Sequence, residues 1–255
     1  MTGVSRDDFL GGAIRLYQPE EGYRIATDTV FLAASINYQV NDRILDMGAG
    51  TGGILSCLLS RTEGQEEKQA GTNIFHGIEQ QSELLALARR NAQENDFGDR
   101  IEYFAGDIAQ PPVSCEPNSY HHVVSNPPYL KKNGATASPY QTKAMAHMDS
   151  DIDLGEWVHL CLRMIRPLGY LTLVHRADRL DDIIAALHGK AGDIIIFPLW
   201  STRDKDARRV IIQARKGSKG IIALKPGLIV HTSDGTFTPE AEAILRHGKA
   251  LDITS

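Results

Sequence analysis

Short apolar runs alternate with stretches of helical periodicity from Arg43 onward. Arg43-Ile-Leu-Asp-Met47 is the first β-rich run, and the pattern predicts further strands over Asn73 to Ile78, Ile101 to Ala105, His122 to Ser125 and Gly169 to His175. Helices are predicted between and after them, over Thr51 to Arg61, Ser82 to Asn95, Asp153 to Arg166 and Arg179 to His188. In the second of these, Leu84, Leu85, Leu87 and Ala88 fall on the packing side. Strand followed by helix, repeated, reads as a parallel sheet with helices on both faces. The rhythm then breaks. Asp193 to Leu199 and Arg208 to Arg215 are joined by a charged loop with no room for a helix, which predicts an antiparallel hairpin at the sheet edge. Ile221 to Val230 reads as one more extended segment, and Thr238-Pro239-Glu240 as the capped start of a short helix. Ahead of the sheet, Thr29 to Ile36 is an apolar helix that Thr27 or Asp28 can cap. Gly64 to Gly71 and Ser114 to Ser119 read as polar loops.

With 255 residues, 42% of them hydrophobic and 23% charged, the chain has the balance of one globular domain. No apolar run approaches the roughly 18 to 20 residues of a membrane span, and Met1 to Asp8 lacks the features of a signal peptide, so a soluble, cytoplasmic protein with no membrane partner is expected. Cys57, Cys115 and Cys161 are widely spaced, which predicts free thiols and no metal. Neighbours in a strand point to opposite faces, so His121 and His122 are not expected to share a ligand. The formal net charge of −5 argues against a coat of positive charge. Between Trp200 and Lys225, however, eight basic residues (Arg203, Lys205, Arg208, Arg209, Arg215, Lys216, Lys219, Lys225) face only Asp204 and Asp206. That surplus of six leaves −11 elsewhere. A solvated face and a phosphate-contacting patch both remain open as readings.

Asp46-Met-Gly48-Ala49-Gly50-Thr-Gly52-Gly53 follows the first strand and opens a helix, where glycines let the backbone pass close to a ligand and helix amides face it. The spacing of Gly48, Gly50 and Gly53 also satisfies a dinucleotide fingerprint. Against that, Asp46 directly before the glycines would repel a pyrophosphate, yet can hold a cation such as an amino-acid ammonium. The antiparallel hairpin also departs from an all-parallel dinucleotide-binding sheet. Glu79, ending the second strand, stands where a carboxylate accepts from both ribose hydroxyls, and Asp107-Ile108 after the third strand stands where an exocyclic adenine amine can be received. Each alone could be a turn former or cap. Together they outline one nucleoside crevice.

The fourth strand ends in Ser125-Asn126-Pro127-Pro128-Tyr129. Two prolines remove two amide donors and leave carbonyls and the Asn126 amide oxygen as acceptors. Acceptors that bind the hydrogens of a planar amine favour pyramidal nitrogen and aim its lone pair, and Tyr129 offers a ring for stacking a planar acceptor. A proline-bracketed turn with a surface tyrosine is the plainer alternative.

On these motifs the chain resembles the Asn-Pro-Pro-Tyr branch of class I S-adenosylmethionine-dependent methyltransferases and, within it, the tRNA(Val) adenine N6-methyltransferase family, including the form common in α-proteobacteria. The resemblance runs from Phe9 to the tail and includes Leu16-Tyr-Gln-Pro19, Gly22-Tyr23-Arg24-x-x-Thr27-Asp28, Arg208-Arg-Val-Ile-Ile212 and Thr238-Pro-Glu-Ala-Glu242. It implies an α/β, Rossmann-like fold with a seven-stranded, mostly parallel sheet and an antiparallel edge hairpin. The whole chain is then one methyltransferase domain, with an N-terminal segment 1–40 beside the cofactor, a core 41–219 and an extension 220–255. S-adenosylmethionine is the implied cofactor, with Tyr23, Arg24, Thr27, Asp28, Asp46, Gly48, Ala49, Gly50, Glu79, Asp107, Ile108 and Asn126 as candidate contacts. Asn126, Pro127, Pro128 and Tyr129 are the candidate catalytic residues, tRNA is the implied partner, and a monomer without metal is expected.

Three other readings compete. Protein glutamine N5-methyltransferases share the Asn-Pro-Pro-Tyr chemistry but usually carry an added N-terminal helical domain, and about 40 residues before Arg43 are too few for one. An inactive RNA-binding protein of this fold would not need the intact set Asp46, Glu79, Asp107 and Asn126. A small-molecule O-methyltransferase more often needs a metal or a histidine base, and neither is evident.

Overall fold

Alternation within the central strands sends side chains into two separate cores. Ile44, Val124, Phe197 and Ile211 join one apolar cluster, while their neighbours Leu45, Val123, Ile196 and Ile212 join the other. The computed structural model, which describes residues 3–62, 72–129 and 152–255, shows the sheet that separates these cores. The loop expected over Gly64 to Gly71 lies outside the described residues.

The chain opens with an antiparallel hairpin, β1 (Val4–Phe9) and β2 (Ile14–Pro19). The main sheet contains β3 (Arg43–Met47), β4 (Ile74–Glu79), β5 (Ile101–Ala105), β6 (Tyr120–Ser125) and β7 (Ile165–Arg176). It continues with β8 (Ala191–Trp200), β9 (Arg209–Lys216), β10 (Ile222–Leu224) and β11 (Leu228–Ile229). Its order is β10-β8-β9-β7-β6-β3-β4-β5, with β11 also pairing β8. β3 to β7 run parallel, and β9 lies between β7 and β8, antiparallel to both. The seven strands β3 to β9 follow the expected pattern. The extended segment after Gly220 divides at Pro226-Gly227, where Gly227 takes φ +84°, into two short strands parallel to β8. They place the hairpin one strand in from the edge.

Helices α1 (Thr27–Ser35), α2 (Gly53–Thr62), α3 (Ser82–Glu94) and α6 (Pro239–His247) contribute to the first core. Helices α4 (Leu154–Met164) and α5 (Leu180–Leu187) contribute to the second. Thr238 caps α6 as expected, accepting from the Ala241 amide at 3.2 Å. At α1 the expected cap is not formed. The helix begins at Thr27, Ala26 occupies the cap position, and Asp28 lies in the first turn, where its charge favours the helix dipole.

The two histidines, not expected to share a metal, both lie near one carboxylate. The β6–β7 register shifts between Tyr120 and His122, and this irregularity brings both rings to one carboxylate. His121 Nε2 lies 3.6 Å and His122 Nε2 3.4 Å from the Asp42 oxygens. Among the described residues, no group of three or more His, Cys, Asp or Glu side chains could hold a metal ion, the three cysteines are free and buried, and no helix is long and apolar enough to cross a membrane.

Candidate active site

β3, β4, β5 and β6 end side by side, so the segments that follow them converge at one edge of the sheet. After β3, Gly48, Gly50 and Gly52 take φ of +80°, +57° and +82°, a region that favours glycine. The amides of Gly48 and Ala49 donate to the Ile78 carbonyl at 3.0 and 2.9 Å. A Cβ at Gly50 would lie 2.5 Å from the Tyr23 ring, and one at Gly48 2.9 Å from Trp157. The glycines therefore admit two aromatic walls. Above them opens a cavity of about 640 Å³, counting the open solvent at its mouth.

Of the residues expected around a cofactor, Tyr23, Gly48, Gly50, Glu79, Ile108 and Asn126 line this cavity. Glu79 accepts from the Gly50 amide through Oε2 and from the Gln81 amide through Oε1, both at 2.8 Å. Burial pushes its carboxyl above the ordinary range, partly offset by these amides. Ala49 is 2% exposed, and Asp46 is fully buried. Neither Asp46 oxygen has a partner among the described residues, and burial, with Glu79 nearby, holds this carboxyl well above its ordinary range. Asp107 Oδ1 accepts from the Ala109 amide at 2.9 Å and orders the turn beside Ile108.

The remaining candidates go elsewhere. Arg24 ties the segment to the opening hairpin through Ser5 Oγ and the Pro19 carbonyl, each at 3.0 Å, and through Asp7 at 2.8 Å. Thr27 is exposed at the start of α1. Asp28 faces the Asn-Pro-Pro-Tyr turn: its Oδ2 receives Arg209 Nε at 2.7 Å and the Tyr129 hydroxyl at 3.2 Å.

Around the Asn126-Pro-Pro-Tyr129 turn, the Asn126 amide nitrogen donates to Thr29 Oγ1 at 3.3 Å, which fixes the oxygen's direction. The Tyr129 hydroxyl also lies 3.3 Å from that oxygen. Arg209 covers the Tyr129 ring at 4.6 Å, and the His175 ring meets it edge-on at 5.0 Å. His175 is fully buried, and burial, aided by Arg179, lowers its pKa to about 4. Trp157 donates to Ser125 Oγ at 3.0 Å, and that hydroxyl donates to the Met47 carbonyl at 2.6 Å, locking β6 to β3 beneath the turn. Pro128 and Trp157 line the large cavity and also a smaller one containing Pro127, His175 and Arg179.

Sequence reasoning missed Gln80, Gln81, Trp157, Thr29, Arg209 and His175 as site residues. Gln80 and Gln81 directly follow Glu79, a usable signal. Leu84, read only as a packing residue, also lines the cavity. The others arrive through tertiary contacts that local pattern does not encode.

A seven-strand core in this order, with a glycine turn and carboxylates at its carboxyl edge, defines the class I S-adenosylmethionine-dependent methyltransferase fold. A solved structure of a predicted O-methyltransferase from Agrobacterium tumefaciens matches at TM-score 0.69 and 24% identity, covering 88% of this chain and 97% of that one. A putative class I S-adenosylmethionine-dependent methyltransferase from Listeria monocytogenes matches at TM-score 0.53 and 18% identity, covering 84% and 65%. The chain belongs to the N-6 DNA methylase family, whose model matches residues 16–181. A tRNA1(Val) (adenine(37)-N6)-methyltransferase of Dyadobacter fermentans is 25% identical over 90% of this chain and 91% of its own length. Its counterpart in Aeromonas hydrophila is 24% identical over 84% and 85%.

Proposed function

We propose that this protein transfers a methyl group from S-adenosylmethionine to the N6 amine of an adenine in a tRNA anticodon loop. The observation that carries the reading is the shared wall: Asn126 and Pro128 line the large cavity and also belong to the Asn-Pro-Pro-Tyr turn. The relatives named for tRNA1(Val) adenine methylation support it.

The residues fit the cofactor. Asp46 holds two buried oxygens without partners, suited to the charge of an amino-acid ammonium, while Glu79 and the glycine turn suit the ribose end. S-adenosylmethionine supplies an electrophilic methyl group with a good leaving group already attached. Asn126 Oδ1 and the Pro127 carbonyl then accept the hydrogens of the acceptor amine, so that its lone pair is freed toward the methyl. The Tyr129 ring positions the base. No base is needed before attack, and the extra amine proton leaves afterwards. The protein acts as a cytoplasmic monomer in this reading, and light scattering with and without tRNA checks the monomer.

The test is mass spectrometry of tRNA nucleosides from cells with and without the gene, followed by methylation of an unmodified transcript by purified protein. Loss of N6-methyladenosine in the deletion and its restoration in vitro are expected. Unchanged N6-methyladenosine overturns the reading.

A further inference from the structure

A phenol carries one hydrogen, yet the Tyr129 hydroxyl has two acceptors at nearly equal distance: Asp28 Oδ2 at 3.2 Å and Asn126 Oδ1 at 3.3 Å. The choice between them matters because Asn126 Oδ1 is also the acceptor meant for the substrate amine. An amide oxygen already accepting from a hydroxyl has one lone pair less and is a poorer acceptor for a nitrogen gaining positive charge. A carboxylate wins such a competition because charge-assisted hydrogen bonds are about twice as strong as neutral ones. Arg209 Nε donates to the same carboxylate oxygen at 2.7 Å while its guanidinium covers the Tyr129 ring, so Asp28 is fixed in position beside the hydroxyl. Asp28 and Arg209 side chains are only 18% and 29% exposed, and screening by salt is correspondingly weak.

We infer that Asp28 is a positioning residue for the acceptor site: it draws the Tyr129 hydroxyl proton to itself and so leaves Asn126 Oδ1 free to accept from the substrate amine. The inference rests on the methyl-transfer reading above and deepens it. Asp28 touches neither cofactor nor substrate in this role and acts through Tyr129. Thr29, the next residue of α1, holds the amide nitrogen of Asn126, so one helical turn sets both the direction of the Asn126 amide and the proton that would otherwise occupy its oxygen.

The test is a double-mutant cycle of Asp28→Asn and Tyr129→Phe, read by single-turnover methylation of an unmodified tRNA transcript at saturating cofactor. Asp28→Asn is expected to lower the transfer rate about tenfold, the scale of one hydrogen bond, with KM for tRNA and affinity for S-adenosylmethionine both within about twofold of wild type. In the Tyr129→Phe background, where the competing proton is gone, the same change is expected to do nothing further. Should Asp28→Asn fail to fold by circular dichroism, Asp28→Ser, which leaves a neutral hydroxyl in the first turn, replaces it in the same cycle. An unaltered rate, or a tenfold loss that persists beside Tyr129→Phe, overturns the inference while leaving the methyl-transfer reading intact. Wild-type protein that binds the cofactor but methylates no tRNA overturns both.

Discussion

Asp46 and Glu79 lie on neighbouring parallel strands, yet Glu79 accepts an amide hydrogen on each oxygen while Asp46, fully buried, accepts none among the described residues. The first is satisfied within the protein, whereas the second is free to receive a donor. Because the folded-state pKa of Asp46 is raised, its favourable contribution is present below the unfolded value of 3.8 and is lost as pH rises through the folded value. Asp46→Asn is therefore expected to stabilise the empty protein at pH 7 to 8, by about 1 kcal/mol or roughly 2 to 4 °C in melting temperature. The same change should weaken S-adenosylmethionine binding at least about tenfold. Thermal melts and calorimetry on one sample decide it: a lower melting temperature with unchanged affinity contradicts the assignment.

Glu79→Gln keeps the size of the side chain but loses the charge that receives Gly50 and Gln81. Calorimetry should show affinity for the cofactor falling about ten- to a hundredfold, the scale of a lost charge-assisted bond.

Asn126→Ala removes an acceptor needed most as charge develops on the amine. The transfer rate is expected to fall about a hundredfold or more, by analogy with losing one oriented oxyanion donor, with much less change in cofactor affinity. Tyr129→Ala should chiefly raise KM for tRNA through lost stacking, about 1 to 3 kcal/mol, whereas Tyr129→Phe keeps the ring and stays far more active. Equal inactivity of the two variants would make the hydroxyl essential and refute the stacking role.

The basic segment is not one patch. β9 runs antiparallel, so it begins beside the carboxyl end of β7, where Arg209 pairs with Arg176, and ends near the opposite edge, where Arg215 pairs with Tyr170. Over its eight residues this is a separation of roughly 25 Å. Arg215 is occupied by the Leu168 carbonyl and Lys216 by Asn118 and the Ile165 carbonyl. Reversing the exposed Arg203, Lys205 and Arg208 together is expected to weaken tRNA binding and flatten its salt dependence, whereas Lys219→Glu changes neither. Identical salt slopes for both variants would return the loop to a solvated face.

His175 and His76 are both held to about 4 by burial, from an ordinary 6.5, so the folded protein binds fewer protons than the unfolded chain between those values. Stability present above pH 6.5 is lost as pH falls toward 4. Denaturant melts from pH 7 to 4.5 should show this decline, and His175→Gln should make it shallower. An unchanged slope in the variant would assign the acid sensitivity elsewhere.

Strand positions were legible because alternation and apolar runs are local: Arg43 to Met47 and Ile101 to Ala105 agree to the residue with the observed strands. The glycine turn, Glu79 and the Asn-Pro-Pro-Tyr turn were legible because each sits at or just past the end of a strand. The opening hairpin was not anticipated, since Val4 to Phe9 has apolar residues only at its two ends, with Ser5, Arg6, Asp7 and Asp8 between them and no alternation. The resemblance placed Asp28 among the cofactor contacts, with Tyr23 and Arg24 of the same motif. Its actual partners, Tyr129 and Arg209, lie 101 and 181 residues away. Periodicity carries no information about such pairings.

That last separation bears on how the molecule comes into being. During synthesis from the amino end, β3, β4 and β6 can pair before the final strands have left the ribosome. The Asp28–Arg209 ion pair cannot form then, because its carboxylate is made near the start of the chain and its arginine 181 residues later. A growing chain thus completes the strands that carry the glycine turn and Glu79 well before the antiparallel strand threads between its two neighbours and brings Arg209 to Asp28.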